Sequence, residues 1–244
     1  MATSDQKRSL HLFYWTWGIL TVVGVVLSIW LPHRYMPKMM SNDGHLALTT
    51  TILFSILAAP VAGGVYAAAF YIIRKFRYRG EGVPPPAEQV RENTKTLVWW
   101  LTASTVLTVF VLVWGLGALA AENASSSSNP LVVNVTGQQW VWTFAYPGTH
   151  VVSQELYLPE NREVEFRITS VDVTHGFWVA NFGVQVDANP GVITTIHTTP
   201  DALGSFIVRC EQFCGLNHAF MEAVGHVVTP QQFSNWLATQ PQRS

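Results

Sequence analysis

Three stretches of this chain are apolar for long enough to cross a lipid bilayer, and they decide what its first half can fold into. They cover residues 10–31, 46–73 and 96–121, and the last contains no charge. The hydrocarbon core of a bilayer takes about 20 such residues as a helix. No water is present there to satisfy backbone N–H and C=O groups, so a lone spanning segment must be helical. Trp15, Trp17, Trp30, Trp99 and Trp100 lie near the ends of these runs, where amphipathic rings favour the interface. The first run is longer than the apolar core of a secretory signal, and no A-x-A site follows it. It therefore reads as a retained helix.

The charges divide the chain in the same place. Up to Ala121 there are ten basic and five acidic residues; from Glu122 onward there are four basic and ten acidic. An apolar, basic first half and an acidic second half imply a membrane anchor joined to a folded extramembrane domain. Arg74, Lys75, Arg77, Arg79, Arg91 and Lys95 lie between the second and third runs. Basic residues in short loops stay in the cytoplasm, so this loop and the N-terminus, with Lys7 and Arg8, are expected inside. Everything after the third run is then extracytoplasmic. "GVPPPAEQ" in the cytoplasmic loop is a stiff polyproline spacer. The loop "PHRYMPKMMSNDGH" falls outside, and its methionines read as apolar anchors at the membrane interface rather than as a copper-loading patch.

After residue 121 the pattern changes. "AENASSSSNP" is a polar linker by composition. The alternating, β-branched and aromatic stretches "LVVNVTGQQWVWTFAYPG", "QELYLP", "REVEFRITS", "GVITTIHTT", "GSFIVRC" and "EAVGHVVT" read as strands separated by turn residues. "PQQFSNWLATQ" reads as a helix with Pro230 in its first turn. Many short strands in roughly 110 residues fit a β-sandwich.

The chemistry gathers in "VRCEQFCGLNHAFMEAV", residues 208–224. It holds both cysteines of the chain, Cys210 and Cys214, then His218 and Met221. A disulfide would explain the cysteines alone. Zinc accepts Cys and His but not Met. Thiolate, imidazole and thioether together select copper, yet a mononuclear blue-copper site uses one cysteine and two histidines. Two thiolates bridging two coppers use both cysteines and need a second imidazole, which His175 in "VDVTHGFWVANFGV" offers. His197 and His226 lie in alternating strands and read as hydrogen-bonded sheet histidines; His150 lies in a turn.

"VTHGFWV" together with "CEQFCGLNHAFM" resembles the binuclear copper A site of subunit II of haem-copper cytochrome oxidases, and "GQQWVWTFAYPG" resembles the aromatic stretch before it. The resemblance covers about residues 46–240 and implies a membrane-anchored α plus all-β chain. Its three transmembrane helices would form an anchor over 1–121, with a linker at 122–130 and a cupredoxin-like Greek-key β-sandwich over 131–244. The first span is extra, since the family typically has two. By the resemblance, His175, Cys210, Cys214, His218 and Met221 are copper ligands and Gln212 supplies a backbone carbonyl. Trp140 is where electrons enter, and Asp172 belongs to the donor-docking face. Ala145 and Val171 stand where carboxylates of that face are expected. Gln212 replaces a glutamate that commonly binds magnesium, and a neutral amide is a poorer ligand for a hard dication, so that metal is expected weak or absent.

The implied function is relay of single electrons from an extracytoplasmic cytochrome c or small copper protein to haem in subunit I, for reduction of oxygen to water. The setting implied is a bacterial or archaeal cell membrane, with lipid and the other oxidase subunits as partners and no nucleic acid. No oxygen-reducing site and no C-x-x-C-H haem attachment occurs in the chain. The alternatives are the copper A subunit of a nitric oxide reductase and a non-catalytic copper-binding or delivery protein. Only 14 of the last 123 residues are charged, which fits either a domain covered by partner subunits or one facing an acidic medium.

Overall fold

The computed structural model describes residues 4–77, 80, 93–124 and 129–241. The polyproline spacer and most of the serine-rich linker lie outside the described residues. Two compact units form: residues 1–35 with 51–121, and residues 36–50 with 122–244.

The first unit is helical. α1 (Ser4–Tyr35), α2 (Asn42–Lys75) and α3 (Thr94–Ala124) each contain a stretch long and apolar enough to cross a membrane. The third helix runs three residues into the segment that composition assigns to the linker. α1 and α3 show apolar residues around most of their circumference, among them Val22, Val26, Ile29, Val106, Val109 and Val113, as lipid-facing helices do. α1 and α2 approach each other through small residues. A Cβ on Gly24 would stand 3.0 Å from Ala59 Cβ, and one on Gly63 would stand 3.2 Å from the Thr21 backbone nitrogen. The Trp17 indole donates to the Pro60 carbonyl at 2.8 Å. Close approach of backbones and an interhelical hydrogen bond hold helices together where lipid is as apolar as their side chains.

The second unit is a two-sheet β-sandwich. Its strands are β1 (Leu131–Gln138), β2 (Val141–Tyr146), β3 (Val151–Ser153), β4 (Leu156–Pro159), β5 (Val164–Ser170), β6 (His175–Val179), β7 (Val184–Ala188), β8 (Thr194–Thr198), β9 (Gly204–Cys210) and β10 (Glu222–Val228). One sheet has the order β3-β2-β1-β5-β8, the other β4-β10-β9-β6-β7. β1 runs parallel to β5 and β4 parallel to β10. Parallel pairs cannot be joined by hairpins, so the chain crosses between the sheets in Greek-key fashion. Alternation builds the core: in β5, Val164, Phe166 and Ile168 are buried while Glu165 and Arg167 turn outward. α4 (Pro230–Thr239) starts with a capping box between Thr229 and Gln232 and stacks Trp236 on Tyr157, ring centroids 4.3 Å apart.

The α1–α2 loop departs from its expected place at the membrane interface. Met39 and Met40 are buried in the sandwich unit, Met40 within its core; only Met36 is exposed. Met40 N donates to the Asn181 carbonyl at 2.8 Å, Asp201 N donates to the Met40 carbonyl at 3.0 Å, and Ser41 pairs with Pro200 as a short bridge. The loop thus extends the sandwich. Met40 joins the sandwich core, a use for which its unbranched side chain is equally suited.

Candidate metal centre

The two cysteines sit where β9 ends and a loop leads to β10. Cys210 is the last residue of β9, opposite Phe177 of β6, so the next strand brings His175 beside it. The loop is fastened at its base. Glu211 N donates to the Gly176 carbonyl at 2.9 Å, and Cys210 N donates to the Met221 carbonyl at 3.1 Å. Gly176 has to be glycine here: a Cβ would stand 2.7 Å from Gln212 N.

Within this frame the six donor groups singled out from the sequence come together. His175 Nδ1 lies 3.8 Å from Cys210 Sγ, the two sulfurs are 3.7 Å apart, and Cys214 Sγ is 3.6 Å from His218 Nδ1. Met221 Sδ is 3.8 Å from Cys214 Sγ, and the Gln212 carbonyl oxygen is 3.2 Å from Cys210 Sγ. A disulfide has sulfurs about 2 Å apart, so the thiols are unbridged. His175 and Met221 are fully buried, and both cysteines are buried. Burial, with the neighbouring Cys210, pushes the Cys214 thiol up to about 12. A Cys214 thiol so placed gives up its proton only when a cation is present to hold the charge. Soft sulfur, imidazole nitrogen and carbonyl oxygen in one buried cluster fit a thiophilic metal, and the residues therefore suit copper.

The far ring nitrogen of His175 is held as well. Nε2 is 2.9 Å from Asp172 Oδ1. The same carboxylate accepts from Gln139 N at 2.7 Å, Val173 N at 2.7 Å and the Ser170 hydroxyl at 3.2 Å. Burial alone would raise the Asp172 pKa, but these hydrogen bonds outweigh it and hold the carboxyl at about 2. Asp172, placed from the sequence on a donor-docking face, is an exposed residue whose two oxygens both accept hydrogen bonds. Carboxylate–imidazole contacts of this kind fix the tautomer and orientation of a metal-binding histidine.

Trp140 touches the loop from the other side. A Cβ on Gly215 would stand 3.4 Å from its ring, and Gly215 has φ +121°, a backbone that favours glycine. Gln139 Nε2 donates to the Cys214 carbonyl at 2.8 Å. Three further residues of the aromatic stretch before the site, none singled out from the sequence, also serve it. Gly137 lets His175 pack against β1, since a Cβ there would stand 2.9 Å from its Cδ2. Trp142 meets His175 edge-on with ring centroids 5.9 Å apart. Gln139 ties the loop to β1. Only Gly137, a glycine inside a strand, carries a hint of close approach. Around the loop, Phe213, Leu216 and Phe220 are each about four-fifths or more exposed (79, 89 and 81 %), and Val171 is exposed beside Asp172. His197 contacts Glu163 at 3.0 Å and His226 contacts Ser205 at 3.0 Å, as sheet histidines rather than members of the cluster.

The fold and the cluster define a class first: a chain with three membrane-length helices and a β-sandwich that carries a buried Cys/His cluster able to hold a metal. Residues 149–228 match the family model for the periplasmic domain of cytochrome c oxidase subunit II. Cytochrome c oxidase subunit 2 of Thermostichus vulcanus is 36 % identical over 132 residues, covering 52 % of this chain and 40 % of that protein. The probable cytochrome c oxidase subunit 2 of Rickettsia felis is 28 % identical over 186 residues, covering 67 % and 58 %. The crystal structure of the periplasmic domain of subunit II of cytochrome oxidase from Bradyrhizobium japonicum is 30 % identical and covers 47 % of this chain and 95 % of that one, with a TM-score of 0.44. Across its sandwich this chain is therefore similar to the subunit II family of cytochrome c oxidases. It spans less than two thirds of the length of the two relatives named here.

Proposed function

We propose that this chain is the electron-accepting subunit of a terminal haem-copper oxidase, with a binuclear copper centre held by His175, Cys210, Cys214, His218 and Met221 and by the Gln212 carbonyl. The observation that carries the reading is the unbroken run of donor atoms from His175 through both sulfurs to His218, at separations of 3.6 to 3.8 Å. Copper held by these donors would supply one-electron redox chemistry. The chain's own part is to hold the donors still. Strands β6 and β9 fix His175 and Cys210, Asp172 orients the His175 ring, and burial of the sulfurs excludes water.

Electrons enter at Trp140, whose ring lies on the residue after Cys214, and leave one at a time to haem in subunit I, where oxygen is reduced to water. The donor is an extracytoplasmic cytochrome c or small copper protein. It docks chiefly on the apolar side chains of Phe213, Leu216 and Phe220, and Asp172 contributes one negative charge while holding His175. Apolar docking surfaces with a polar rim suit short-lived complexes. The sandwich lies outside a bacterial or archaeal membrane and the N-terminus inside. The basic residues after α2 and the packing of the α1–α2 loop into the sandwich unit both support that orientation. With an amide at Gln212, magnesium binding there is weak or absent.

The test is Cys210→Ser and Cys214→Ser in the full chain. Each is expected to lose the two-copper centre and to stop donor-driven turnover of the assembled complex. Full turnover in either variant would overturn the relay. Copper(I) that exchanges freely with a chelator, in a colourless wild type, would favour a delivery protein, and turnover with nitric oxide rather than oxygen would favour a reductase.

A further inference from the structure

In the helical unit, α1 and α2 enclose a cleft of about 180 Å³ at the end of α2. Leu12, Phe13 and Thr16 of α1 form one wall, Phe70 and Tyr71 of α2 the other, and Arg74 and Lys75 stand at its mouth. The walls are aromatic and braced: Phe13 meets Tyr71 edge-on across the helices at 6.1 Å, and Tyr71 meets Phe76 at 6.2 Å. The Thr16 hydroxyl donates to the Leu12 carbonyl at 2.8 Å, so its polar group is turned back into its own helix. The Arg74 guanidinium lies over the Phe70 ring, 5.7 Å from its centroid. That contact holds the cation at the apolar edge instead of leaving it to extend into solvent.

An apolar, aromatic cleft that ends in two adjacent cations is complementary to an amphiphile with a negatively charged head. We infer that the cleft binds one phospholipid with an anionic headgroup, its acyl chain between Phe13 and Phe70 and its phosphate at Arg74 and Lys75. The position agrees. The cations occupy the last turn of a membrane-length helix, where the interface begins. The leaflet facing the cytoplasm presents such headgroups, and basic residues beside a span bind them electrostatically. The inference holds whether or not the sandwich carries copper, since it rests on the helical unit alone.

Native mass spectrometry of the full chain tests it, released from detergent containing equal amounts of phosphatidylglycerol and phosphatidylcholine. The wild type is expected to retain one phosphatidylglycerol per chain in preference to phosphatidylcholine. Each cation removed should lower that retention about fivefold, so Arg74→Gln with Lys75→Gln should lower it roughly twenty-five-fold. Lys95→Gln, a basic residue outside the cleft, should change nothing. Leu12→Trp, which fills the cleft and keeps both cations, should also lose the lipid at unchanged helical content. Equal retention of both lipids by the wild type, undiminished retention by the double glutamine variant, or an equal loss with Lys95→Gln would overturn the site. Displacement of the lipid by millimolar inorganic phosphate would reduce it to a phosphate site and overturn the lipid assignment. Cross-linking of a residue at position 12 to another subunit, with no lipid retained, would mean that a protein helix fills the cleft.

Discussion

Phe110 on α3 and Phe144 on β2 are the same residue in opposite surroundings. Phe110 is 44 % exposed and Phe144 is fully buried. In the helical unit apolar side chains point outward all round, because lipid is as good a solvent for them as protein. In the sandwich unit they point inward at every second position, because water lies outside. The helical unit therefore depends on composition, and the sandwich on which residue stands at which position. The candidate metal cluster belongs to the second kind. Its sulfur, nitrogen and oxygen atoms line up because a few backbones approach closely.

The largest expected effect tests that contrast directly. Phe144→Ala should cost the sandwich about 3–5 kcal/mol in denaturant unfolding of the full chain, with metal binding lost alongside. Phe110→Ala, in lipid, should stay within about 0.5 kcal/mol. Comparable losses at both positions would break the comparison.

Next comes Gly137→Ala. The added methyl has no room against His175, and overpacking of this kind costs about 1–3 kcal/mol. His175 would be displaced, so copper should be lost before the fold is, which a metal titration beside thermal unfolding would reveal. Gly148 is a control with open space around its Cβ position, although its φ of +83° makes alanine mildly strained there.

Asp172→Asn should be milder still in stability. Losing the carboxylate behind a metal-binding histidine lowers metal affinity about 10–100-fold. A docking role alone would instead change the salt dependence of donor reduction and leave copper affinity intact. Smallest in structural terms is Trp140→Ala, which should slow reduction by an external donor far more than it changes copper content. Equal loss of both would make Trp140 a packing residue.

How much of this was legible in the sequence follows the same division. The helices could be read because a charge-free run of 26 residues (96–121) has one stable form in lipid. β1, β2, β4, β5, β8, β9 and β10 showed alternation. β3, β6 and β7 did not: they are three to five residues long, and in β6 the burial of neighbours on both faces erases the period. Met39 and Met40 were misplaced because an apolar loop beside a span reads alike whether lipid or protein covers it. The candidate ligands stood out because thiol, imidazole and thioether are rare and crowd into residues 210–221. Gly137, Trp142 and Gln139 did not, because they contribute shape and a single hydrogen bond across strands. Asp172 stood out as a charge, but its direction is set by its near neighbours Ser170, Val173 and His175 together with Gln139, which lies far from it in the sequence.

The most direct test of the central claim is metal analysis of the full-length chain combined with electron paramagnetic resonance of its half-reduced form. The arrangement of His175, Cys210, Cys214, His218 and Met221 predicts two coppers per chain and one unpaired electron shared equally between them. One copper per chain, zinc in its place, or a disulfide between Cys210 and Cys214 in the copper-treated protein would contradict it.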